Sequence, residues 1–451
     1  MSCSKFSVIR LANSGTLPRM SASRADAPIL LATYGSPGDV QPFLAVGLAL
    51  QERGQPVVIA SSEVYRDRVT RLGLSFAAVR PNRDPQQPEP DFLHRLRGGE
   101  PPADLFREMF MPGFRESTLD LIEVARGARA VVSHTLVGGG RLAAEYHGMP
   151  WISVVMQPMG YLPTREPPVI GPLYVAAALR RAGVPATRAV LRGARAITSP
   201  WVSDWHRLRG ELGLNPSSDH PLFEGQHSPL LSLGVFPRIL GEPQVDWPPS
   251  ARVTGFPFLR DPARTLTPEL EDFLTNGDPP IVFTLGTTAV NDPGTFYEVS
   301  ADAVRKLGLR AVLVGVSNGD ASMGIGDVIA VPWAPHDLLF PRSRAVVHQG
   351  GIGTLAEALV AGKPMLIVPY AHDQADNAWR AQRVGVAEIL PRNRYRPREL
   401  MTSLHQLVRS AQREQACLRA RKDLMQEHGA ETAADAVLRA LRHTVRTLSR
   451  G

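Results

Sequence analysis

One stretch concentrates groups able to handle an anion: His348-Gln349-Gly350-Gly351-Ile352-Gly353-Thr354-Leu355-Ala356-Glu357. The apolar run 345–348 predicts a strand ending at His348, the glycines a turn, and the following residues a helix beginning near Gly353. Glycine lets the backbone approach a ligand closely, and the free N–H groups of a helix start attract negative charge. Thr354 adds a hydroxyl donor. A glycine turn between strand and helix also occurs with no ligand, so the cluster by itself leaves both readings open.

The elements that must position this segment repeat along the chain. Residues 29–33 form a short apolar run stopped by Tyr34-Gly35-Ser36-Pro37-Gly38, as a buried parallel strand would be. Phe43 to Arg53 has helical spacing with Gly54 as its stop, and Val57–Ala60 reads as the next strand, which completes a βαβ unit. Strands are expected again at 130–133 and 151–156, with a helix at 142–147 between them. A proline-rich stretch from Val235 to Thr265 reads as an interdomain linker. The rhythm restarts at 280–285 and continues through runs at 310–316, 327–331, 345–348 and 365–369.

The expected fold class is therefore α/β, with two Rossmann-like parallel-sheet domains facing a central cleft. The expected divisions are a disordered leader at 1–27 (Met20 being an alternative start), an acceptor-binding domain at 28–235, a linker at 236–265 and a donor-binding domain with a terminal helix at 266–451. Ligands in such sheets sit beyond the carboxyl ends of the strands.

The 451 residues exceed what one hydrophobic core usually serves. Cys3 and Cys417 are the two cysteines, too few and too far apart for a disulfide framework or a metal cluster. The formal net charge is +7, and 165–210 holds eight arginines against Glu166 and Asp204. That segment is a solvated basic face or a patch for peripheral membrane contact. No lysine-rich tract with interleaved aromatics points to nucleic acid. No apolar run is long enough to span a membrane and the leader lacks a signal-peptide core, so a cytoplasmic location is expected.

The glycine segment has company. Trp333-Ala334-Pro335, Leu338-Leu339-Phe340-Pro341, Ala361-Gly362-Lys363-Pro364 and Pro369-Tyr370-Ala371-His372-Asp373-Gln374-Ala375-Asp376-Asn377-Ala378 occur in order around it, over about 45 residues. Together they resemble the donor-binding signature of family 1 glycosyltransferases of the GT-B fold. The first-half segment Gly35-Ser36-Pro37-Gly38-Asp39-Val40-Gln41-Pro42 resembles that family's first βα loop, in the branch of sterol, glycopeptide-antibiotic and rhamnolipid-type enzymes. Two positions depart from the common pattern: His336 stands where many members have glutamine, and Gln349 where several have a second histidine.

The resemblance implies a UDP- or TDP-sugar as co-substrate and no other cofactor. It implies that His348 donates to a diphosphate oxygen and that the backbone of Gly351, Gly353 and Thr354 cradles the same group. Gly286-Thr287 stands for the family's turn near the phosphates. Glu357 is expected to accept both ribose hydroxyls, Trp333 to lie beside the base with Ala334 bonding it through the main chain, and Asp373 and Gln374 to hold the sugar. Trp333 has an alternative as a packed core residue.

An inverting transfer needs one base and charge stabilisation on the departing diphosphate. Asp39 is the expected catalytic base. A free aspartate, with a pKa of about 3.9, is weak for this, and desolvation in a closed cleft would raise it. Capping the following helix or orienting the acceptor are its other two tasks. His134 is a second candidate base, with a core or turn histidine as its alternative. No Asp-x-Asp occurs, so no metal is expected on the diphosphate. A small lipophilic acceptor (hydroxy-fatty acyl, sterol or triterpenoid, or polyketide-type) is expected along loops 80–115 and 157–185, lined by Phe110, Met111, His134, Met159 and Tyr161. A nucleotide-sugar 2-epimerase and a catalytically silent partner protein are the rival readings. A dehydrogenase is disfavoured because the first turn lacks Gly-x-Gly-x-x-Gly.

Overall fold

The computed structural model describes residues 26–82, 113–169, 173–286, 293–316 and 326–448. The leader up to residue 25, Thr287, Phe110 and Met111 lie outside the described residues, as does most of the 80–115 loop.

Two parallel sheets organise the chain. The first contains β1 (Ile29–Ala32), β2 (Val57–Ser61), β3 (Ser75–Ala78), β4 (Ala130–His134), β5 (Trp151–Val155), β6 (Ser232–Gly234) and β7 (Ala251–Val253), in the order β3-β2-β1-β4-β5-β6-β7. The second contains β8 (Ile281–Thr284), β9 (Ala311–Val314), β10 (Val328–Val331), β11 (Ala345–His348), β12 (Met365–Ile367) and β13 (Ala387–Ile389), in the order β10-β9-β8-β11-β12-β13. β1, β4, β8 and β11 are apolar runs buried along their whole length, as strands with helices on both faces must be.

Each sheet reverses its strand order once, between β1 and β4 and between β8 and β11. A crevice opens at such a reversal, because the connections on either side lead away in opposite directions. The register sets Ala32 opposite Ser133 at the first crevice and Thr284 opposite His348 at the second. Asp39 and His134 therefore belong to one crevice, and Gly286 and His348 to the other.

The expected domain boundaries need two corrections. The segment 236–265 is not only a linker, since β7 lies inside it and completes the edge of the first sheet. The last helix, Gly429–Leu448, does not finish the second domain. Its Ala433, Ala434, Val437 and Leu441 join the hydrophobic core of the first, with Phe43, Val46 and Leu50 of the helix Pro37–Glu52. Arg53 and Asp435 close that contact with an ion pair of 2.7 Å. The domains are also sutured elsewhere, where Tyr161, Phe236 and Trp247 share a core with Leu355 and Ala381 of the second half.

Five of the eight arginines of the basic segment lie on the helix Leu173–Thr198, which is kinked at Gly183 and leaves Val190 and Ile197 exposed. Among the described residues no helix is long and apolar enough to cross a membrane.

Candidate active site

The first crevice is built around the turn after β1. Ser36 starts the helix Pro37–Glu52, and both its backbone N–H and its hydroxyl donate to Oδ2 of Asp39, each at 2.8 Å. Gly35 has φ +120, and a Cβ there would lie 2.6 Å from that oxygen, so only glycine fits. Capping is thus a real task of Asp39, but it uses one oxygen. Oδ1 makes no hydrogen bond among the described residues, and the side chain is half-buried. His134 ends β4, is 2% exposed, and packs against Phe43 with ring centroids 6.2 Å apart. Its Nδ1 is buried without a partner among the described residues. Burial pulls its pKa down, with the Asp39 charge opposing, so the ring is neutral near pH 7.

The second crevice is built around His348, which is fully buried. Its Nδ1 accepts from the Gly350 N–H at 3.1 Å. An accepting Nδ1 leaves the ring proton on Nε2. That Nε2–H is buried and has no partner among the described residues. Burial pushes the imidazole down to about 3, so it is a neutral donor and not a cation. Gly350 takes φ +99, and a Cβ on it would meet Ile367 at 2.8 Å. Gly351 caps the helix Ile352–Ala361 on its N-terminal side, which leaves backbone N–H groups and the positive end of the helix next to His348. Across the reversal a Cβ on Gly286 would come within 2.0 Å of the Gln349 amide, so this glycine is the condition for Gln349 to sit there.

Asn377 joins the turn to the sugar-side residues. Its amide donates to Gly350 O at 3.0 Å and to Asp373 Oδ2 at 2.6 Å. Gln374 Oε1 accepts from Tyr370 N at 2.8 Å and Ala371 N at 3.0 Å, which holds the loop and leaves the Gln374 amide nitrogen as a donor. Between them His372 adopts a left-handed backbone, φ 56. Asp373 is pushed up to about 7, chiefly by desolvation, with the negative charge of Asp39 adding to it. The same charge acts on His372. The two crevices therefore face each other across one cleft, within electrostatic reach.

Of the residues expected at the nucleoside end, Glu357 lies further along the helix Ile352–Ala361. Trp333 is 59% exposed, with the Arg264 guanidinium 5.9 Å from its ring centre, so it is not a packed core residue. Ala334 is buried. Glu357 is engaged by Arg260, whose Nη1 lies 2.8 and 3.0 Å from its two oxygens. These two residues line a cavity of about 240 Å³ with Asp337, Pro341, Val360 and Ala361. Gly353 and Thr354 occupy the first turn of the helix, as expected.

On the acceptor side, Met159 is half-buried in the short turn Pro158–Tyr161 after β5. Tyr161 needs a correction. It is 4% exposed, stacked on Trp247 at 4.2 Å and on His227 at 5.3 Å, with its hydroxyl donating to Ser232 O. Both faces and the polar tip are used, so it is core and lines nothing. Sequence reasoning gave no role to Asn377, His372, Arg260 or Arg264. The first two lie inside the segment that carries the resemblance, whereas no local pattern marks the arginines.

Residues 314–438 match the family described as "Erythromycin biosynthesis protein CIII-like, C-terminal domain", and residues 29–120 match "Glycosyltransferase family 28 N-terminal domain". The O-mycaminosyltylonolide 6-deoxyallosyltransferase of Streptomyces fradiae is 35% identical over 377 residues, 80% of this chain and 84% of the relative. This chain is a family 1 glycosyltransferase. The vancomycin aglycone glucosyltransferase of Amycolatopsis orientalis is 29% identical to the glycosyltransferase over 377 residues, covering 79% and 84% of the two chains. Among solved structures, the kitacinnamycin glycosyltransferase superimposes with a TM-score of 0.71 at 19% identity, over 92% of this chain and 99% of its own. VinC, solved in complex with DTDP, gives 0.66 at 20% identity, over 92% and 100%. The solved structures place the glycosyltransferase in the GT-B fold, and the 35% identical relative makes it a hexosyltransferase.

Proposed function

We propose that this glycosyltransferase moves a hexose, with inversion, from a UDP- or TDP-sugar to a hydroxyl of a small lipophilic acceptor. Asp39 takes the acceptor proton as the acceptor oxygen forms its bond to the anomeric carbon. The bond from that carbon to the β-phosphate oxygen breaks, and the nucleoside diphosphate leaves. The Nε2–H of His348 and the N–H groups at the start of the helix Ile352–Ala361 receive the charge that develops on it. A neutral donor at a helix terminus can do this without a metal. Asp373 and the amide of Gln374 hold the sugar hydroxyls, and Trp333 offers the base an open aromatic face.

The observation that carries the reading is the pairing of two half-equipped crevices. One holds a carboxylate with a free oxygen and the other an unpartnered buried donor beside a helix start, and Asp39 is felt by Asp373 across the cleft. The acceptor class rests on Met159 and the apolar loops beside β5. Relatives named for O-mycaminosyltylonolide, a sterol and vancomycin aglycone support a small-molecule alcohol.

Asp39→Asn is expected to lower turnover by about 10² or more while nucleotide affinity stays unchanged, because general base catalysis typically contributes that much. Turnover would be followed by product formation against a panel of hydroxy-fatty acyl, sterol and polyketide alcohols. Wild-type turnover in the variant would sink the assignment. His348→Ala is expected to weaken UDP or TDP binding as well as rate, read by calorimetry with and without EDTA.

A further inference from the structure

The helix Leu173–Thr198 carries five arginines and no acidic residue. Two of the arginines are used inside the protein. Arg180 donates to Pro167 O at 3.0 Å and lies over the Trp379 ring at 3.5 Å, and Arg195 pairs with Glu224. Arg181, Arg188 and Arg192 are exposed and form no ion pair among the described residues. The acidic groups that flank the helix in the chain are already neutralised, Glu166 by Arg380 and Arg383 and Asp204 by Arg207.

Beyond the kink at Gly183, the stretch 184–198 turns one side to the protein and the other to solvent. Thr187 is buried, and Leu191, Ala194 and Arg195 are partly covered. The open side has three stripes. Arg188 and Arg192, four residues apart, form one flank. Val190 and Ile197, seven apart and 50% and 69% exposed, form the other. Ala189, Gly193 and Ala196 lie between them, and their small side chains keep the face low. A surface helix with a basic flank and an apolar flank matches the interface of a charged bilayer, where guanidinium groups meet phosphates while apolar side chains pass below them. A second copy fits less well, because helices without acidic residues would set like charge against like charge. The net charge of +7 draws the whole molecule the same way.

We infer that the open face of residues 184–198 is a docking surface for an anionic lipid bilayer. Arg188 and Arg192 meet the headgroup phosphates, and Val190 and Ile197 enter the interface beside them. Docking there holds the glycosyltransferase where a lipophilic alcohol accumulates. That consequence rests on the proposed acceptor class, whereas the docking itself does not.

Cosedimentation of the full chain with vesicles of phosphatidylcholine, alone or with about a third phosphatidylglycerol, tests this. Binding is expected only with the phosphatidylglycerol vesicles, and it should fall steeply between about 0.1 and 0.5 M salt. Arg188→Gln combined with Arg192→Gln should weaken it by about 25-fold, since each arginine near an anionic surface is worth about fivefold. Val190→Ser combined with Ile197→Ser should weaken it by about tenfold, an effect that attraction of the net charge alone would not show. All four positions are exposed, so thermal unfolding and UDP or TDP affinity should match the wild type in both variants. Should a double variant fail to fold, Arg192→Gln and Ile197→Ser alone carry losses of about fivefold and about threefold. Binding that these variants leave intact overturns the proposal. So does an absence of binding to phosphatidylglycerol vesicles, and capture of polyglutamate by the same arginines would then assign the face to an acidic protein. A dimer seen by ultracentrifugation without vesicles, and lost on changing Val190 and Ile197, would assign the face to a second copy and overturn it as well.

Discussion

At the scale of residues, the cleft is tuned by burial more than by formal charge. His348, pushed down to about 3, is uncharged throughout the neutral range, whereas Asp373, pushed up to about 7, changes charge within it. His348 therefore donates its Nε2–H unchanged across that range. Asp373 is different, because a carboxylate accepts sugar hydroxyls best when ionised. Nucleotide-sugar affinity is expected to strengthen as pH rises through about 7, and Asp373→Asn to flatten that rise. Calorimetry at several pH values on both proteins checks it, and an identical profile in the variant would refute it. The signs for stability oppose each other. The folded pKa of Asp373 lies above its ordinary value, so its contribution is present at low pH and lost as pH rises toward 7. The folded pKa of His348 lies below its ordinary value of 6.5, so its contribution is lost as pH falls from there toward 3. His348 was legible in the sequence because a glycine turn and a helix start follow it, and Glu357 because the segment around it resembles the family's signature. Arg260, Asn377 and the tautomer of His348 were not, since each depends on a partner far along the chain or on the fine path of the turn.

At the scale of elements, the helix Gln374–Val384 ties the loop of Asp373 and Gln374 to the first domain. Asp376 and Arg380, one turn apart and both fully buried, form an ion pair of 2.6 Å. Asp376 also accepts from Val169 N at 3.0 Å, while Arg380 reaches Leu240 O at 3.0 Å and Glu166 at 3.1 Å. The segment 166–169 of the first domain is thereby tied to the helix whose N-terminus carries Asp373 and Gln374. Arg380→Met should destabilise the protein by about 3 kcal/mol, because it strands a buried carboxylate. The double change with Asp376→Leu should cost less than the two single changes added together. Urea unfolding curves decide this, and strict additivity would refute the coupling. The strands along β1, β4, β8 and β11 were readable as uninterrupted apolar runs. β3, β7 and β13 were not, being three- or four-residue edge strands whose pairing depends on the neighbour already in place. The helix Pro37–Glu52 begins a turn and a half before the apolar spacing shows, because the Ser36–Asp39 hydrogen bonds set its start and Pro42 is tolerated inside it.

At the scale of the whole molecule, the last helix returns from the second domain to cover the first. Leu441 is 1% exposed against the helix Pro37–Glu52, so Leu441→Ala should destabilise by roughly 2–5 kcal/mol although the position is more than a hundred residues beyond the first sheet. A loss under about 1 kcal/mol in thermal or urea unfolding would mean that this helix does not support the first domain. By itself the sequence determined two α/β halves, the glycine turn with His348, the turn that carries Asp39 and the family to which they belong. These are local facts, because strand runs, glycine turns and helix starts are dictated by residues a few positions apart. Only the tertiary structure decided that Tyr161 is core, that β7 lies within the expected linker, that the last helix crosses back, and that Arg260 holds Glu357. Each of those is a contact between residues distant in the chain, settled by which faces remain to be buried once the sheets have formed.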